Sequence, residues 1–307
     1  MGRVNDIAEA NGMIYIVGDF TKVGGQTRNF AAAIDKATGQ VDIGWNPNLN
    51  GIAHSVDIAP DGSAVYVGGV FTKVGTTWRS RVAKLDPNDG EAVSGWNPKA
   101  SAQVTTIQAT ADTVYIGGYF RTAGGLERDR LAAVDAATGI VDAAWNPGAD
   151  GAVLTSALSS NGNTLFVGGN FDSLSGASRP HLGAVRTGSG NVLAWNPAPP
   201  HKVLDVELAA DGSILYAAIG GPQVDGGNLA TAYDTTSGTV IWNHSSDGDF
   251  QAVAVAGDAV YFGGHFVKIE GQARQRIAAF HPTSGALKSW NPGANSGWGI
   301  WALTYTD

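Results

Sequence analysis

Cysteine is absent from this 307-residue chain. Its absence removes disulfides, thiolate metal sites and a thiol nucleophile together. It leaves the compartment open, since a chain of this length buries a core that needs no covalent staples. Charge is also scarce: Asp, Glu, Lys and Arg make up 15% of residues, against about 25% in ordinary soluble proteins. What charge there is leans acidic, with a formal net charge of −8, so a nucleic-acid backbone would meet repulsion. No apolar run nears the roughly 20 residues of a membrane-spanning helix, and no stretch keeps a 3.6-residue apolar period long enough for a helix. No signal-peptide pattern is visible, because Met1-Gly2-Arg3 leads straight into a polar, strand-like segment. Nucleic acid and membrane insertion are set aside as partners, and the abrupt start is that expected of a domain excised from a longer protein.

Glycine is what the chain has in excess, with 43 residues of 307, about twice the usual share. It punctuates a repeat. Trp-Asn occurs at Trp45, Trp96, Trp145, Trp195, Trp242 and Trp290, at intervals of 51, 49, 50, 47 and 48 residues. Five copies continue into Pro, and the fifth in order has His244 instead. A second landmark precedes five of the six Trp, reading IYIVGDFTKVGG at 14–25, VYVGGVFTKVG at 65–75, VYIGGYFRTAGG at 114–125, LFVGGNFDSLSG at 165–176 and VYFGGHFVKIEG at 260–271. A third is an acidic-to-Gly turn, DKATG at 35–39, DPNDG at 86–90, DAATG at 135–139 and DTTSG at 234–238, varied as RTGSG at 186–190 and HPTSG at 281–285.

Each unit resolves into four short strand candidates, for example 53–59, 64–72, 81–86 and 92–96, rich in β-branched and aromatic residues and bounded by Gly, Asp, Asn and Pro. Four strands per unit of about 50 residues, repeated, point to an all-β fold, a six-bladed β-propeller of four-stranded antiparallel blades. The whole of 1–307 then forms one propeller domain of six repeats. A seventh copy of the first strand falls at 300–304, so the alternative is an incomplete seven-bladed ring, which would leave an open edge.

The pattern VYVGGxFTxVGG, an Arg a few residues on, A-x-x-D-x-x-T-G and then WNP resembles the delta-60-repeat β-propeller family. The D-x-x-T-G turn followed by Trp is also similar to repeats of quinoprotein-type propellers. The resemblance implies a bacterial secreted or surface protein, or a phage tail protein, and it supplies no catalytic motif.

Three sets of residues are candidates for chemistry. Arg28, Arg79, Arg128, Arg179 and Arg274 recur in the loop after the second strand, on the face shared with the WNP segments. They either lock each loop to its neighbour beside the indoles, or form a ring for anionic or sugar ligands. Trp78, Trp298 and Trp301 lie outside the periodic Trp set and are the better sugar platforms, whereas a periodic indole such as Trp145 is expected in the core. Alternation along the first strands directs Asp6, Asp57, Asp205 and Glu207 inward, either as separate channel carboxylates or as oxygen ligands for Ca²⁺. No other cofactor is suggested. The fifth unit, 215–234, departs from the repeat: it lacks GGxF, the loop Arg and the Pro after Trp242, and His201 follows two prolines. Departures from a repeat are where a specific site can be built.

No metal spacing among the six His, no nucleophile elbow and no Asp box is present. The expected function is therefore non-catalytic: an extracellular or cell-surface binding or adhesion module for glycans or a protein partner, possessing flanking domains if it belongs to a longer chain. The alternatives are a structural or host-recognition part of a phage tail, hence a virion setting, and a propeller-fold hydrolase or quinone-dependent oxidoreductase.

Overall fold

A computed structural model describes residues 2–221, 228–295, 297 and 299–305. Among these the regular structure is entirely β-strand, arranged in antiparallel sheets. The three main strands of the first repeat are Arg3–Ala10, Met13–Asp19 and Ala31–Asp35. The second repeat has Ala53–Ile58, Val65–Gly69 and Val82–Leu85, and the third Val104–Ala109, Thr113–Gly118 and Leu131–Asp135. The fourth has Ala152–Leu158, Thr164–Asn170 and Leu182–Arg186. The fifth starts with Val203–Leu208, Ile214–Ile219 and Leu229–Asp234, and the sixth has Phe250–Ala256, Ala259–Gly264 and Ile277–Phe280. The first strand is the edge strand of the main sheet of each repeat, and each carries a β-bulge one residue after its opening apolar residue, as between Val104 and Thr106.

The fourth strand is shorter than the sequence pattern predicts. In five repeats it shrinks to one bridge, such as Ile34 with Val41 or Val134 with Val141, beside a three-stranded sheet. In repeats one and three, Asp42 and Asp142 accept the backbone N–H two residues on, both at 2.8 Å, in the turn before the Trp. In the fifth repeat the segment Val240–Ser245 stays extended and its sheet has four strands.

The chain forms two compact units, 1–148 and 149–307, each with three repeats. Within each unit the core lies between successive repeats. Trp45 and Tyr15 pack with Val67 and Leu85, and Trp195 and Phe166 pack with Leu215 and Tyr233. The indole N–H of one repeat donates to the turn carbonyl of the next: Trp45 to Asp86 (3.2 Å), Trp96 to Asp135 (3.1 Å), Trp195 to Asp234 (3.0 Å) and Trp242 to Pro282 (2.7 Å). Gly139 serves this joint twice over. It takes φ 75°, and a Cβ on it would stand 3.0 Å from Trp96 Cα.

A second joint seats the opening residue of a first strand on the preceding sheet. Any Cβ on Gly68 would meet Val104 at 2.7 Å, on Gly168 Val203 at 2.8 Å, and on Gly263 Ile300 at 2.6 Å. Ile300 thus takes the seat of a next first strand on the sixth repeat, and its N–H donates to Gly264 O at 3.2 Å. The extra strand expected at 300–304 nevertheless forms no ladder, because no second strand lies beside it among the described residues.

Candidate functional site

The five loop arginines share one arrangement. Each donates to the carbonyl of the residue before it and to a carbonyl fourteen residues on. Arg28 reaches Thr27 and Asp42 (2.8 and 2.9 Å), and Arg79 reaches Trp78 and Val93 (2.8 and 2.7 Å). Arg128 holds Glu127, Asp142 and Ala143, Arg179 holds Ser178 and Leu193, and Arg274 holds Ala273 and Lys288. Arg28, Arg79 and Arg128 are buried. A planar fork of donors suits several backbone carbonyls at once, so each Arg ties the two-stranded hairpin of its repeat to the fourth segment of the same repeat. A second clasp, absent from the sequence reading, joins the hairpin to the linker. Asn50, Asp150 and Asp247 each accept two consecutive backbone N–H groups of it, as Asn50 does from Thr72 and Lys73 at 2.8 Å, and Ser101 Oγ does the same.

The inward carboxylates also act between repeats. Asp6 accepts from Val56 N (2.9 Å), Asp57 from Ala109 N (2.7 Å) and Asp205 from Val253 N (2.9 Å). Ser55 and Thr155 occupy the positions of Asp6 and Asp205 and accept from Ile107 N and Val206 N, whereas Asp57 stands two residues further along its strand. The first strand is a sheet edge whose outward N–H groups need an acceptor, and the previous repeat supplies one. Crowding by protein pushes the Asp57 and Asp205 carboxyls up to about 6, against the opposing pull of the N–H groups they accept. Glu207 is exposed. Among the described residues no group of three or more His, Asp or Glu is placed to hold a metal ion.

Of the indoles outside the periodic set, Trp78 is 64% exposed, with Lys73 Nζ 4.6 Å from its ring centroid. Trp301 meets the His265 ring edge-on at 5.7 Å, and Trp298 lies outside the described residues. Trp145 is buried, as are Trp45, Trp96, Trp195 and Trp242, whereas Trp290 is 42% exposed.

The departure in the fifth repeat opens a cavity. In the other repeats a small residue lies beneath the backbone of the GGxF phenylalanine: a Cβ on Gly51 would meet Phe71 Cα at 3.0 Å, on Gly151 Phe171 Cα at 2.7 Å, and on Gly248 Phe266 N at 2.9 Å. In the fifth repeat the sizes are exchanged. His201 stands at the small position and Gly221 at the Phe position, and a Cβ on Gly221 would lie 2.5 Å from the imidazole. Asn228, buried at 1% exposure, holds Gly221 by accepting its N–H at 2.8 Å. The result is a cavity of ≈ 410 Å³ lined by His181, His201, Lys202, Gly220, Gly221 and Asp249, with Asn170 at its side.

The lining is polar. Asp249 is bonded through both oxygens, to His265 Nδ1 and Gln251 Nε2, each at 3.3 Å. His181 is held below the usual imidazole range mainly by burial, helped by His201 and opposed by Asp172, and its Nδ1 is buried without a partner. The sequence reading marked the fifth repeat and His201 as a departure. It missed His181, Lys202 and Asp249, and the only available signal was the paired size exchange of 201 and 221.

A family model described as "Domain of unknown function (DUF5122) beta-propeller" matches residues 9–32 and 59–91, which cover the second strand and hairpin of the first two repeats and the turn landmark of the second. Comparison with curated proteins finds no match. The matched landmarks recur through the chain, and every sheet they build is antiparallel. The chain is an all-β repeat protein whose first two repeats are similar to a β-propeller family described without a function.

Proposed function

We propose that this chain is a non-catalytic ligand-binding propeller of six four-segment blades, and that its ligand site is the cavity of the fifth repeat. It would serve at a cell surface or outside the cell, with a glycan as the bound partner. The observation that carries this reading is the exchange of large and small residues between positions 201 and 221. The arginine clamps and carboxylate caps are spent on the repeat itself, whereas this exchange leaves polar side chains around ≈ 410 Å³, within the range of about 300–1,000 Å³ that holds small organic ligands. Lys202, Asn170 and His201 supply hydrogen-bonding groups of the kind that orient a sugar.

The test compares the wild type with the double variant His201→Gly/Gly221→Phe on a glycan array and by NMR titration of its hits. The double variant restores the arrangement of the other repeats, so binding is expected to disappear while the fold persists. Equal binding by both proteins would remove the cavity from consideration.

A further inference from the structure

We infer that the ligand of this cavity is an acidic sugar, a hexuronate or a glycan bearing one; the inference rests on the binding reading above and names its ligand class. The cavity lining carries more free donors than acceptors. Its one lining carboxylate, Asp249, is already bonded to His265 and Gln251. Lys202 is exposed and, among the described residues, has neither an ion pair nor a side-chain hydrogen bond. The His201 ring likewise makes no hydrogen bond among the described residues.

The histidine is not a feature of the repeat: the positions equivalent to His201 hold Gly2, Gly51, Ala102, Gly151 and Gly248, whereas those equivalent to Lys202 vary as Arg3, Ile52, Gln103, Ala152 and Asp249. A ligand carboxylate set between Lys202 Nζ and His201 gains charge-assisted hydrogen bonds, which are stronger than those a neutral hydroxyl would make. Sugar hydroxyls then meet the Asn170 amide at the side of the cavity. Asp172, the carboxylate acting on His181, lies outside the lining.

Galacturonate and glucuronate are titrated by NMR against galactose and glucose, on the wild type, on Lys202→Met and on His201→Gly/Gly221→Phe. The uronates are expected to bind about tenfold more tightly than the neutral sugars, the scale of one charge-assisted contact. Lys202→Met should abolish that preference, weakening the uronates about tenfold more than the neutral sugars, and added salt should weaken the uronates alone. Neutral and acidic sugars bound equally by the wild type, but not by the double variant, would overturn the acidic preference and leave the cavity as a sugar site. A preference that survives Lys202→Met overturns it too. No binding of any of the four sugars by any form would overturn both readings.

Discussion

The imidazole of His201 occupies the space that a side chain on Gly221 would need, with Cγ and Cδ2 both 2.5 Å from an ideal Cβ. The two residues are therefore coupled in size. Gly221→Phe alone forces a bulky ring against the histidine and is expected to destabilise by about 1–3 kcal/mol, the usual cost of overpacking. Adding His201→Gly should recover most of that loss. Urea denaturation of both single variants and the double variant measures the coupling, and simple additivity would refute the exchange.

The buried indoles should differ sharply from the exposed one. Trp145 is 2% exposed, so Trp145→Ala is expected to cost about 3–5 kcal/mol. Trp290, at 42% exposed, should lose well under half as much. Similar urea midpoints for the two variants would contradict the packing described here.

Stability should rise on mild acidification. Asp57 and Asp205 titrate near 6 in the folded chain, above the 3.8 of an unperturbed Asp. Between those values the folded form binds protons that the unfolded form does not, so stability increases as pH falls from 7 toward 5. Below about 4 the exposed turn aspartates Asp35, Asp135 and Asp234, whose carboxyls are held low by Thr and Ser hydrogen bonds, lose their contribution. A urea midpoint that peaks near pH 5, with the acid-side gain reduced in Asp57→Asn, is the expected result; a midpoint falling steadily from pH 7 would refute it.

Arg128 donates to three carbonyls, those of Glu127, Asp142 and Ala143. A lysine at this position carries no planar fork and cannot span them. Arg128→Lys should cost about 1–3 kcal/mol, the penalty for leaving buried polar groups unmet. Amide exchange should speed up in the 122–127 hairpin and be unchanged in the hairpin at 22–27, where Arg28 remains; uniform exchange would argue against a local clamp.

Much of the architecture was legible because it is written in short-range chemistry. The Asp35 to Gly39 turn is set by Asp35 Oδ1 accepting from Thr38 N and Oγ1. All six first strands lie where the apolar–polar alternation places them. The fourth strand was overread, because Val41, Val141 and their counterparts look extended in sequence while in five repeats only one residue of the segment pairs with the third strand. The roles of Arg28 and Asp57 were harder. Each was identified as a residue facing a loop or the interior, but its actual acceptor or donor is a backbone group on a distant segment, and a backbone group leaves no mark in the sequence.

What the sequence determined alone is the period, the strand order and the Gly and Asp turns, since these follow from backbone preferences over a few residues. Tertiary structure decided how the polar side chains are used. Asp6 and Val56 are fifty residues apart, and His181, His201, Gly221 and Asp249 come from separate segments that only folding brings around one cavity. Local propensities place a strand, but the donor that a carboxylate meets, and the space left when a phenylalanine becomes a glycine, depend on which neighbouring repeat packs against it.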